Sequence, residues 1–163
     1  MSTLTATDDK KKAFLALFEG HDHTNGTEAV DRVFHESKLA LNELVIPTTR
    51  HEAWKYTRLG RVINKAWKVT PSEEEIDVSN WRVKNTDSDC LVFVDGHFRS
   101  DLSEVQDEAG ITVSSMGAAC ESVAFLAHFG TLADHKNQLF VALNGAHATG
   151  GGFIHFSRNT QRE

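Results

Sequence analysis

Apolar residues change their spacing partway along this chain, and that change does most to limit the fold. Between residues 28 and 44, Val30, Val33, Phe34, Ser37, Leu41 and Leu44 recur every three or four positions. Such a stripe predicts an amphipathic helix from about Glu28 to Glu43. An earlier helix is expected where Lys10-Lys11-Lys12 leads into Ala13, Phe14, Leu15, Leu17 and Phe18, with Gly20 as its stop. Pro47 closes this region. Thr49 followed by Glu52 has capping-box spacing, which predicts a short helix holding Trp54, Lys55 and Tyr56.

From about Leu59 the pattern shortens. Val62-Ile63 and Trp67–Val69 read as brief extended pieces. Leu91–Val94, then Asp95-Gly96, then His97-Phe98-Arg99 reads as a strand, a tight turn and a return strand. Ile111-Thr112-Val113 reads as another strand. Ser114 or Ser115 is placed to cap a helix through Ala118, Ala119, Val123, Phe125 and Leu126. Gln138 to Ala146 reads as a last helix, and Phe153-Ile154-His155-Phe156 as a buried strand that needs a backbone partner. Helices come first and strands later, so the class is α+β, with N-terminal helices packed with a small antiparallel sheet or hairpin. The expected layout is one α+β domain over residues 1–152, helical over about 8–58 and mixed over about 59–152. Residues 153–163 are expected to form the first strand of a following domain.

Chemistry is mostly conspicuous by its missing parts. His35-Glu36 and His51-Glu52 open like zinc-protease motifs, but Leu39 and Lys55 stand where the second His is required. Gly145 and Gly150 have P-loop spacing, but Gly151-Gly152 replaces the Lys and Ser/Thr that would meet phosphate and magnesium. No nucleophile elbow and no dinucleotide fingerprint occur. The reading is therefore no enzyme. Two cysteines, Cys90 and Cys120, make no disulfide framework. With a polar, acidic N-terminus and no run of 18 apolar residues, they point to a reduced, cytoplasmic protein without a membrane role.

Two other readings compete. His21 and His23, or Cys90, His97, Cys120 and His128 meeting in space, form an alternative metal-binding set, although no paired Cys-x-x-Cys exists. Arg50, Lys55, Arg58, Arg61, Lys65 and Lys68 interleave with Trp54, Tyr56 and Trp67, and Glu52 is the one acid among them. That pattern suits a nucleic-acid-binding module. Against it, the net charge of the whole chain is −6, which opposes nucleic acid in bulk. The plainer role for the rings is to anchor the segment, covered by Lys and Arg stems.

Beyond these patterns, Pro47-Thr48 followed by Glu52-Ala53-Trp54-Lys55-Tyr56-Thr57 resembles a segment of the SufD branch of the SufB/SufD family, part of the SUF iron–sulfur cluster assembly machinery. Leu91–Phe98, with Gly96 at its turn, resembles that family's strand–turn–strand. Phe140 to Asn144, including Leu143, and then Phe153-Ile154-His155 resemble the block that enters its central domain. The motif residues Pro47, Glu52, Trp54, Lys55, Tyr56, Thr57, Gly96, Leu143 and Asn144 are structural in this resemblance, so no catalytic, cofactor or metal residue carries over. Thr49 intervenes where the family has a basic residue directly after Pro-Thr, and Gly145 and His147 stand where larger or apolar residues are common. The resemblance implies a non-catalytic N-terminal domain of a scaffold protein. Its partners would be SufB-like and SufC-like proteins, reached through a longer chain with a β-helix beyond this point. The iron–sulfur cluster would belong to the whole complex, and self-association of this domain stays open.

Overall fold

The computed structural model describes residues 2–21, 27–69, 75–83, 88–106 and 109–161, with side chains described from residue 8. In chain order the helices are α1 (Ser2–Leu15), α2 (Glu28–Glu43), α3 (Gly60–Ile63), α4 (Met116–Ala119), α5 (Val123–His128) and α6 (Leu139–Ala146). The strands are β1 (Phe93–Val94), β2 (His97–Phe98), β3 (Ile111–Ser115) and β4 (Gly152–Phe156). Helices and two small antiparallel sheets make this an α+β fold. The chain divides into two compact units, residues 1–69 with 129–148, and residues 70–128 with 149–163.

The first unit is helical. Helix α2 has the boundaries its stripe predicts, and it buries Val30, Val33, Ser37 and Leu41. Glu28 and Asp31 lie in its first turn, where the exposed N–H groups favour negative charge. At its other end, Lys11 Nζ donates to the Asn42 carbonyl at 3.0 Å, satisfying an orphan acceptor. Helix α1 runs into a 3-10 turn at Ala16–Phe18, and Gly20 follows at φ 82°. Helix α6 buries Leu139, Ala142, Leu143 and Ala146, which join Phe14, Leu41 and Ile63 in one core. Leu15, Leu17, Phe18, Ile46, Leu59 and Phe140 pack around it. Burial of these side chains drives the assembly, since α3 and α6 are too short to persist alone in water.

Helices α2 and α6 meet through small residues. A Cβ added at Gly145 would lie 2.3 Å from Ser37 Oγ and 3.2 Å from Ser37 Cβ. Gly145 therefore lets the two backbones close. Ser37 is fully buried, and its Oγ has no hydrogen-bond partner among the described residues. Beside this contact, His135 Nε2 sits 2.9 Å and Lys136 Nζ 3.1 Å from Glu36 Oε2. The His135 hydrogen bond, then that of Lys136, holds the Glu36 carboxyl below the usual carboxylate range.

The second unit carries the sheets. Strands β1 and β2 pair Phe93 with Phe98 and Val94 with His97. Asp95 at φ 49° and Gly96 at φ 84° form the turn, both left-handed as a tight hairpin requires. Cys90 and Glu104 exchange backbone bonds of 2.7 and 2.9 Å, and Arg82 pairs with Glu104. Strand β4 runs antiparallel to β3, from Ile111 opposite Phe156 to Ser115 opposite Gly152. Phe153 meets Phe125 edge to face at 5.9 Å.

Four local expectations are corrected. Val62-Ile63 is helical, not extended, because Ile63 is drawn into a helical core. The helix capped at Ser115 breaks after Ala119, since Ser122 Oγ accepts from Phe125 N–H and caps a second helix. Glu52–Trp54 forms a 3-10 turn with His51, not Thr49, at its start and no capping box. Strand β4 alternates rather than being buried throughout, because one face covers Phe125 while Ile154 and Phe156 are 50% and 58% exposed.

Candidate interaction site

The segment from Ile46 to Asn64 is the most distinctive surface of the first unit, and local hydrogen bonds shape it. His51 N–H donates to the Thr48 carbonyl at 2.9 Å, closing a turn just after Pro47. Thr48 N–H donates in return to His51 Nδ1 at 3.0 Å. Trp54 N–H donates to the His51 carbonyl and Thr57 N–H to the Trp54 carbonyl, both at 2.9 Å. The chain is thereby wound into consecutive tight turns between the core residues Ile46 and Leu59.

The motif residues divide by burial. The Trp54 ring lies half-buried against Phe140, with centroids 5.4 Å apart. Leu143 is in the core, while Asn144 on the same helix is exposed. Tyr56 is 90% exposed, with Lys55 Nζ 5.6 Å from its ring centroid. Glu52 and Lys55 are 4.0 Å apart and solvated, a pair of small energetic weight. Gly96 lies in the second unit, at the hairpin turn. So Pro47, Glu52, Trp54, Lys55, Tyr56 and Thr57 share one short stretch of the first unit, with Trp54 packing onto the helix of Leu143 and Asn144.

A groove of about 320 Å³ opens beside this stretch. Ile46, Pro47, Leu59 and Ile63 line it with apolar surface; Thr48, Thr49, Thr57 and Asn64 add polar groups. Lys10 of α1 and Arg58 contribute charge, and no described residue lining the groove is acidic.

The comparisons with known proteins concern the chain as a whole. The family model for the SufBD protein N-terminal region matches residues 8–163. The chain belongs to this family. A relative, the iron–sulfur cluster assembly protein SufD of Escherichia coli (strain K12), is 36% identical over 69 residues. That match covers 42% of this chain and 16% of the relative's length.

Within a SufBD N-terminal region, the remaining candidates stay dispersed. Among the described residues, no three His, Cys, Asp or Glu side chains are grouped to hold a metal ion. His23 lies outside the described residues. Cys90 and Cys120 are free thiols, and Cys120 Sγ donates to the Gly117 carbonyl at 3.1 Å. Of the aromatic residues of the basic stretch, Tyr56 and Trp67 are exposed and Trp54 is half-buried. Trp54 is spent on Phe140, and Trp67 Nε1 donates to the Val62 carbonyl at 2.9 Å with Lys65 over its ring. No described helix is long and apolar enough to cross a membrane. The part of the site that sequence reading missed is Lys10, which reaches the groove from a helix 36 residues before Ile46. Its triple-lysine run points around the helix in three directions, and the sequence alone does not say which lysine meets the groove.

Proposed function

We propose that this chain is the non-catalytic N-terminal module of a SufD-like protein in cytoplasmic iron–sulfur cluster assembly. It acts with SufB-like and SufC-like proteins, engaged through the whole native protein. The observation that carries this reading is the family match over residues 8–163, joined to the SufD relative. The motif residues support a structural role for the module. Trp54 and Leu143 are used for packing and Gly96 for a turn, which fits segments that hold shape. The cluster is cargo of the assembled complex, and no residue of this chain is assigned to hold it. In this reading residues 153–163 lead into the following domain, and neither nucleic acid nor membrane is a partner.

The test is to isolate the native protein from its own cells, determine its intact mass, and identify what copurifies. The expected result is a mass well above 18.1 kDa, in a complex with SufB-like and SufC-like chains. An 18.1 kDa protein that copurifies with neither would overturn the proposal.

A further inference from the structure

We infer that the groove beside Pro47 and Arg58 docks an acidic, extended peptide segment of a partner protein, seating one apolar side chain and pairing its carboxylates with the surrounding cations. Three observations carry this. The groove joins an apolar wall, including Ile46 and Leu59, to Lys10 and Arg58, with no acidic side chain on its lining. Arg50, Lys55 and Arg61, all exposed, continue the positive charge along the same stretch. This stretch runs against the chain's own balance. Residues 50–68 hold six cations and one carboxylate, whereas the whole chain has net charge −6. A local field of opposite sign to the molecule selects partners by charge and orients their approach.

The same observations choose among anionic occupants. Single-stranded nucleic acid binds through successive exposed rings. Here Trp54 packs on Phe140, and the exposed rings, Tyr56 and Trp67, stand eleven residues apart with Lys55 and Lys65 over them, so they are not successive stacking platforms. A small anion would occupy only part of the surface. The groove's volume of about 320 Å³ is at the low end for small-molecule sites, and the cations beyond it would stay uncompensated. An extended peptide satisfies both parts, because alternate side chains can enter the groove while their neighbours meet Lys10, Arg58 and the flanking cations. The inference adds a partner chemistry to the assembly reading without depending on it, since binding is measured on this chain directly.

The experiment sorts a display library of short random peptides against the full chain. The best binder is then measured by fluorescence anisotropy. Enriched peptides are expected to carry Asp and Glu around one aliphatic or aromatic residue. Their affinity should weaken as salt rises, and should fall by about tenfold when Lys10→Glu and Arg58→Glu are combined. Arg32→Glu, an exposed cation of α2 outside the groove lining, should leave affinity unchanged. If the charge-reversed variant does not fold, Lys10→Gln with Arg58→Gln gives the same reading with a loss of about threefold. Backbone amide shifts at Thr48, Thr57 and Asn64 should move on binding. The inference is overturned by enrichment of neutral or basic peptides or of none, or by an affinity indifferent to both charge variants. It is equally overturned if labelled oligothymidine or inorganic phosphate competes as well as the selected peptide.

Discussion

Replacing Gly145 with alanine tests how closely α2 and α6 are held. In most helices this change is favourable, because glycine costs about 0.5–1 kcal/mol relative to alanine. Gly145 is the penultimate residue of α6, so the lower part of that range applies. Against the gain stands a collision. The new Cβ would sit 2.3 Å from Ser37 Oγ, 3.2 Å from Ser37 Cβ and 3.6 Å from Val33 Cγ1. Ser37 is fully buried and has little room to turn aside, so the helices must part. Overpacking of this kind costs about 1–3 kcal/mol, which outweighs the propensity gain. The net loss should be about 1–2 kcal/mol, read from urea denaturation followed by helical circular dichroism. Ser37→Ala supplies the control. It removes the nearest atom, one without a hydrogen-bond partner among the described residues, so alone it should be neutral or slightly stabilising. In that background Gly145→Ala should cost at most half as much, giving a coupling energy of about 1 kcal/mol. A neutral or stabilising Gly145→Ala, or an equal cost in both backgrounds, would refute the close-approach argument.

Trp54→Ala should destabilise the first unit by about 2 kcal/mol, less than for a fully buried ring, whereas Tyr56→Ala should stay within about 0.5 kcal/mol, both by chemical denaturation. Gly96→Val forces a β-branched residue into the left-handed region and should cost about 1–2 kcal/mol, with Gly96→Asn much milder; amide exchange at Val94 and Phe98 reports it. Because His135 and Lys136 lower the folded pKa of Glu36, its stabilising contribution is present above the ordinary glutamate range and is lost as pH falls through the lowered value. Acid titration of wild type against Glu36→Gln should therefore show a stability gap that closes progressively as the pH falls below the ordinary glutamate range. A gap that widens in acid would reverse the sign assigned to this contact.

Local signals carried much of the architecture. Helix α2 was legible because one stripe of side chains decides both its register and its ends. The β1–β2 hairpin was legible because Asp95-Gly96 is one of few pairs that accept two left-handed residues. Ser115 was legible as a cap, and its side chain accepts from Ala118 N–H. Helix α3 was not, since β-branched Val62 and Ile63 favour extension locally and only the tertiary core reverses that. The break between α4 and α5 was hidden because no Gly or Pro marks it; a serine hydroxyl does the work. At the candidate site, the basic and aromatic run was plain in the sequence, but the use of Trp54 for packing depends on Phe140, 86 residues away. Strand β4 looked buried from its composition, whereas its two-residue alternation places Ile154 and Phe156 outward.

The chain's path through its two units has a consequence for synthesis. The helical core takes Ile63 before the second unit and Leu139 after it, about 76 residues later. At roughly 5–20 residues per second, a ribosome needs about 4–15 s to deliver α6 once α3 has emerged. Through that interval the apolar sides of α1 and α2 have no α6 to cover them. Strand β3 waits in turn for β4, which follows α6. Each unit is thus completed only after the other has begun. Folding at the ribosome must finish late, near the end of this region, and nascent chains stalled before Leu139 would be natural clients for chaperones.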